Sequence, residues 1–220
     1  LAQGPNHKWR DFARRQGDSA KVSKSGSNAQ TTETAAPPSA IQRLMGAIPA
    51  PGRGPAPVHL WNPPWCGEID MRIAGDGSWH YNGSPITRPA MVRLFSTILR
   101  KDPTGHVLVT PVERVGIRVD DAPFLAVEMA VEPGEGANRL VFRTNVDDIV
   151  TAGPDHPIRF ETTDTGALKP YLRVRGDLWA LATRALAHEL IGHAGVETVD
   201  GTALFGVRSG AAFFPIAPAS

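Results

Sequence analysis

At 220 residues the chain suits one compact globule or two small domains, and 41% hydrophobic with 20% charged residues is ordinary for a soluble fold. The net charge of +1 excludes a broadly basic nucleic-acid-binding surface: residues 1–40 carry six Lys/Arg against three Asp/Glu, and residues 41–220 carry 17 against 19. One cysteine, Cys66, excludes an internal disulfide and any multi-cysteine metal site, and no apolar run reaches the ~18 residues that a membrane span needs.

Residues 1–39 are rich in Ser, Ala, Thr and Gln with no apolar period, which predicts a disordered tail. Ser39 stands as an N-cap ahead of Ile41 and Leu44, predicting a short helix to Gly46. Pro49, Pro51, Pro55, Pro57, Pro63 and Pro64 enforce an extended strap that Trp61 and Trp65 pin to the globule. Cys66 is expected to be a buried, inert thiol.

Ile69, Met71 and Ile73 alternate with Asp70 and Arg72, the pattern of a half-buried strand, and Asp76-Gly77 turns the chain into a returning strand at Trp79–Tyr81. Pro89 fits a first helical turn, after which Met91, Leu94, Phe95, Ile98 and Leu99 form one apolar stripe. Val107–Val112 and Val115–Val119 read as a hairpin, and Phe124–Val131 and Arg139–Arg143 as further strands. Beyond them, 157–162 and 171–174 are strand-like, and Asp177 caps a predicted helix from Leu178 to Leu190. Thr202–Ile216 closes the chain as a strand pair.

Aligned on Arg88 and Arg175, an offset of 87, the helical patterns match: Leu94 with Leu181, Ile98 with Ala185, Leu99 with Leu186. The expected class is therefore α+β, with a duplicated β-β-α-β-β unit in two small sheet-rich domains. The division runs as a tail at 1–39, a short helix and strap at 40–65, an N-terminal domain at 66–132 and a C-terminal domain at 133–220.

Catalytic signatures are missing. His188 and His193 stand at i and i+5, whereas a zinc-protease helix needs i and i+4 to share a face. Ser209 sits one place late for a nucleophile elbow, and Asp120-Asp121 and Asp147-Asp148 have the look of solvated turns. No phosphate loop or dinucleotide fingerprint occurs, and no cofactor or metal is expected. With no apolar signal core, the expected compartment is the cytoplasm.

What stands out is a set of polar clusters at strand ends: Trp79 and Tyr81, Arg88, Thr110 and Glu113, Arg143 and Asn145, Arg173 and Arg175. Guanidiniums grip phosphate or carboxylate bidentately, aromatic rings stack planar groups, and Thr, Glu and Asn orient polar edges. Those nine residues suit a small anionic, planar ligand. The other reading also stands open, in which the arginines occupy outward strand faces and pair with neighbouring carboxylates.

At Cys66–Ile73, Asp76–Arg88, Met91–Ser96, Leu108–Glu113, Phe142–Val150 and Pro170–Arg175 the chain resembles a bacterial domain-of-unknown-function family, number twelve eighty-five, over residues 40–216. The resemblance implies a duplicated core, a C-terminal half similar to pleckstrin-homology folds, a nucleotide-like ligand at the domain interface and a signalling role. The preferred expectation is a non-enzymatic protein holding such a ligand between its halves, where the arginines crowd a shared hollow. Two alternatives stand beside it: a hydrolase using Asp70, His80, Glu113 and Asp147, and a protein-interaction module using the strap or a sheet edge.

Overall fold

In the computed structural model, which describes residues 39–49 and 56–219, the chain begins at its expected cap. The Ser39 hydroxyl accepts from the Gln42 amide at 3.4 Å and the Gln42 side chain accepts from the Ser39 amide at 2.8 Å. This capping box starts α1 (Ala40–Ala47), which buries Leu44. The disorder expected of the tail and part of the proline strap (50–55) lie outside the described residues. Further on, Arg100 fastens the strap: its Nη1 donates to the carbonyls of Val58 and Trp61 at 2.8 and 2.7 Å. Trp61 packs on the core, but Trp65 belongs to the first strand and is 48% exposed. Cys66, expected to be buried, is exposed, because it lies at the exposed start of that strand.

The first sheet contains β1 (Trp65–Ile73), β2 (Trp79–Tyr81), β3 (Ser84–Pro85), β4 (Leu99–Asp102), β5 (Gly105–Val109) and β6 (Arg114–Val119), ordered β3-β2-β1-β6-β5-β4. Its central pair, β1 and β6, is parallel. A parallel pair needs a crossover, and here α2 (Pro89–Thr97) supplies it between β3 and β4. Pro89 takes the first helical position, as its missing N–H allows. At the other end Ser96 and Thr97 turn their hydroxyls back onto the carbonyls of Arg93 and Leu94, both at 2.7 Å.

The second sheet holds β7 (Phe124–Glu132), β8 (Arg139–Thr144), β9 (Ile149–Thr151), β10 (Ile158–Thr162), β11 (Leu168–Arg175) and β12 (Leu178–Ala182), ordered β10-β11-β12-β7-β8-β9. With β7 standing for β1 and β12 for β6, this is the strand order of the first sheet, including the parallel central pair. A helix α3 (Arg184–Ile191) and a three-stranded sheet follow, made of β13 (Ala194–Val199), β14 (Thr202–Ser209) and β15 (Ala212–Pro218). The class is α+β.

Two expectations need correction. The helix predicted from Leu178 starts at Arg184, capped by Thr183, whose hydroxyl accepts from the Leu186 amide. Leu178, Ala180 and Ala182 alternate inward as a strand, and Gly176-Asp177 is a hairpin turn with Gly176 at φ 50°. Short apolar runs satisfy both periods, and strand pairing with β7 and β11 decides this one. The helices therefore occupy different places in the two sets of strands, so the offset of 87 does not align the sheets. The second correction concerns the boundary drawn at 132/133: β7 pairs within the second sheet, so the change of sheet falls in the short segment between β6 and β7.

From Ser39 onward the chain is one compact unit. A continuous apolar core links Met71, Ile73, Trp79, Phe95 and Leu108 of the first half to Phe124, Phe142, Leu172, Val174 and Leu190 of the second. At one seam the β1–β2 hairpin tip meets the second sheet: Asn145 accepts from the Leu125 amide at 3.0 Å and reaches the Gly77 carbonyl at 3.4 Å. Gly77 has φ 79°, and a Cβ there would lie 2.9 Å from both Asn145 Nδ2 and Leu125 Cδ1. The left-handed conformation alone costs a non-glycine residue about 1–2 kcal/mol. Gly77→Ala should therefore lower unfolding stability by about 2 kcal/mol in urea titrations, and an unchanged midpoint would show that the hairpin tip does not set the seam.

Candidate functional site

The nine residues singled out by sequence do not form one site. Trp79 is 1% exposed and stacks on Phe95 with ring centroids 6.4 Å apart, so its face is filled by the core. Tyr81 is half-buried against the same core. Thr110 is fully buried and heads the β5–β6 turn, its hydroxyl accepting from the amides of Val112 and Glu113 at 3.4 and 3.1 Å. Glu113 is buried beneath Arg43, 3.8 Å away. Arg88 is exposed at the N-cap of α2, and Arg173 donates to the Gly176 carbonyl at 2.5 Å.

Three of the nine do meet. Thr144 heads the β8–β9 turn, accepting from the amides of Val146 and Asp148 at 3.4 and 3.0 Å, which presents Asp147 and Asp148 to both halves. Arg143 binds Asp147 at 2.9 Å and also pairs with Glu128, while Arg93 of α2 reaches the other Asp147 oxygen. Arg175 pairs with Asp148, donates to the Ser96 carbonyl at 2.6 Å and lies 4.9 Å over the Phe124 ring. Asn145 closes the group at the hairpin tip. The arginines here meet carboxylates of their own chain, which makes this a joint between halves.

An open surface lies elsewhere, on the face of the first sheet turned from the core. Val115, Ile117 and Val119 of β6 face the core, so Arg114, Gly116 and Arg118 face outward, and their β1 partners Trp65, Glu68 and Arg72 share that face. Pairing along β1 is broken twice. Cys66-Gly67 oppose Val115 alone, and Ile69–Met71 oppose Ile117 alone. Such bulges open a ladder and re-aim side chains. At the second bulge lies a groove of about 540 Å³ lined by Glu68–Arg72, Ile117 and Arg118. Another of about 410 Å³ is lined by Trp65, Glu68, His106, Arg114 and Gly116 among others. Glu68 and Ile117 belong to both.

The chemistry of this face is specific. A Cβ on Gly116 would lie 2.6 Å from the benzo ring of Trp65, so only glycine lets the indole rest on the sheet with its remaining surface exposed. Arg114 stands 5.9 Å from the Trp65 ring and pairs with Asp102 at 3.1 Å. Glu68 and Asp70 have no side-chain partner among the described residues, and Arg118 is 69% exposed with one long contact to Asp120 at 3.6 Å. Sequence reading took Trp65 as a pin for the strap and Asp70 as a hydrolase acid, and singled out neither Glu68 nor Gly116 nor Arg118. Their one signal was Gly116 inside a valine-rich strand, the usual mark of a close approach.

The hydrolase residues lie on four separate elements. His80 Nε2 is 2.9 Å from Ser78 Oγ, which already gives its proton to Asp76 at 2.6 Å. His80 is therefore the donor in that contact and cannot serve as base for Ser78. No group of three or more His, Cys, Asp or Glu able to hold a metal occurs among the described residues. Among the described residues no helix is long and apolar enough to cross a membrane. His188 and His193 are exposed at the end of α3, and Ser209 is buried, donating to the Ala152 carbonyl at 2.8 Å.

Comparison with known proteins places the chain. Residues 56–122 match the N-terminal domain model of DUF1285, a domain of unknown function, and residues 123–216 match its C-terminal domain model. A solved DUF1285 family protein from Silicibacter pomeroyi DSS-3 is 49% identical, with a TM-score of 0.72 over 81% of this chain and 94% of that one. Another, from Shewanella baltica OS155, is 26% identical, with a TM-score of 0.45 over 56% of this chain and 90% of that one. No curated protein matches. The chain belongs to the DUF1285 family, and its two domain models meet between Ala122 and Pro123, where the sheets change.

One titratable group records the packing of the halves. His106 of β5 faces Lys101 across the strand pair and senses Asp177 in the β11–β12 turn. Burial, and then Lys101, push it down to about 4, with Asp177 opposing. It is neutral when folded, whereas the unfolded chain takes up a proton near pH 6.5. Between pH 6.5 and 4 the unfolded state binds more protons, so stability falls as pH falls. His106→Asn should flatten that slope in urea midpoints measured from pH 7 to 4.5, and a slope equal to the parent's would exclude His106 as its source.

Proposed function

We propose that this member of the DUF1285 family is a non-catalytic binding protein for a small nucleotide-like ligand, held on the outer face of the first sheet. The carrying observation is the exposed Trp65 ring seated on Gly116, beside grooves that offer unpaired carboxylates at Glu68 and Asp70 and an exposed guanidinium at Arg118. Each group suits one part of such a ligand. An indole stacks a planar ring. Carboxylates only accept hydrogen bonds, so Glu68 and Asp70 select ring N–H donors. Arginine grips an anionic tail. The order Trp65, Glu68, Arg72 along β1 arranges ring, polar edge and anion in one line.

The anionic, planar ligand expected from sequence thus keeps its chemistry and changes its place, because the joint arginines already hold carboxylates. The shared strand order of the two sheets favours a duplicated unit in which this face has been opened by bulges in one copy. We read the compartment as cytoplasmic and the role as signalling, with ligand occupancy as the signal.

A thermal-shift screen of nucleotides tests the reading. Ligand at 100 times its Kd should stabilise the protein by about 2.7 kcal/mol. Loss of a stacked ring costs about 1–3 kcal/mol, so Trp65→Ala should weaken binding by about five- to 150-fold by calorimetry while Arg88→Ala leaves it unchanged. Loss of binding in Arg88→Ala with full binding in Trp65→Ala would move the site away from this face.

A further inference from the structure

Arg72 and Arg118 are direct partners across the parallel β1–β6 pair. Like charges placed opposite one another repel, so the arrangement needs an anion between them. The chain supplies one. Asp120, the residue that follows β6, is anchored by its amide to the Ile73 carbonyl at 3.0 Å. Its two carboxylate oxygens each lie 2.9 Å from Arg72 Nε, a second Arg72 nitrogen also donates, and Arg118 Nε stands 3.6 Å away. The Arg72 hydrogen bond holds the Asp120 carboxyl below its usual range, so it is ionised at neutral pH.

Occupation is incomplete. Arg118 keeps most of its donors open, Arg72 and Arg118 line the same groove, and Asp120 keeps 27% of its side chain exposed. His80 lies across from Arg72, and Asp76 is the other carboxylate that Arg72 senses. An exposed ion pair of this kind contributes little to stability, and a bidentate contact between guanidinium and carboxylate is the geometry that also recognises phosphate.

We infer that Arg72 and Arg118 form an anion subsite for a phosphate-class group, and that Asp120 is its resident counter-anion, displaced when the ligand enters. This rests on the binding face proposed above but is separable from the stacking on Trp65, because it concerns the anionic group alone. Asp120 then acts as a built-in competitor that sets the threshold of ligand response.

Pyrophosphate, an anion without a ring, is the probe, with binding measured by calorimetry at low salt. Asp120→Asn should bind it at least tenfold more tightly than the parent, and adding Arg118→Ala should abolish the gain. Trp65→Ala should leave pyrophosphate affinity unchanged even if it weakens nucleotides. Asp120→Ser serves as a second variant should the Asn form melt early. Equal or weaker pyrophosphate binding in both Asp120 variants, or no binding to any form at millimolar concentration, would overturn the inference. A nucleotide that binds no better than pyrophosphate would count against the stacked ring and leave the subsite standing.

Discussion

Arg175 is the contact on which the arrangement of the two halves depends. Its side chain is only 19% exposed, yet a guanidinium stays charged at any working pH, so every direction it faces must offer compensation. Three different elements do so. Asp148 supplies the countercharge, the Phe124 ring supplies a polarisable face, and the Ser96 carbonyl supplies the negative end of α2. Asp148 is itself held by Thr144, through its amide on the Thr144 hydroxyl at 3.0 Å and its carbonyl on the Thr144 amide at 2.9 Å. A half-buried charge with that many fixed partners leaves little freedom for one sheet to slide on the other, because losing a partner leaves the charge less compensated.

The same joint explains why arginine content misleads as a guide to function. Arg93, Arg143 and Arg175 come together, as a ligand clamp would require, but the β8–β9 turn delivers Asp147 and Asp148 into their midst. The turn is a compact device: one threonine hydroxyl holds two amides, and Asp147 takes a left-handed φ of 68° to aim its carboxylate at both neighbours. Thr110 builds a similar turn in the first sheet, between β5 and β6. There the buried acid is Glu113, which faces α1 instead of the other half.

Opening of the outer face has a different origin. A regular central pair would present an unbroken pleat, but β1 carries extra residues relative to β6 at two points. Gly67, at φ 90°, takes up the first excess, and the Ile69–Met71 excess parts the ladder into a groove. Bulges cost ladder hydrogen bonds on the β6 side, while on the β2 side the ladder runs on past them, the Asp70 carbonyl accepting from the Asn82 amide at 2.9 Å. Trp65, Glu68 and Arg72 therefore reach one face despite unequal spacing along the chain.

Much of the local structure was legible. The Ser39 cap, the Asp76-Gly77 turn, the helix begun by Pro89 and the alternation in β1 are consequences of capping, turn chemistry and period, which act over a few residues, although that helix ends at Thr97 and Leu99 of the predicted stripe opens β4. Leu178–Ala182 was not legible, since a five-residue apolar run satisfies strand and helix alike until β7 and β11 bracket it. Polar clusters at strand ends, arginines among them, were also legible. Which arginine meets which acid depended on pairs as distant in sequence as Arg175 with Ser96 and Arg72 with Asp120. Short-range propensities set the elements because their energies are local. Partnership among charges and the exposure of Trp65 were settled by the fold, because sheet pairing and bulges bring distant residues onto one surface.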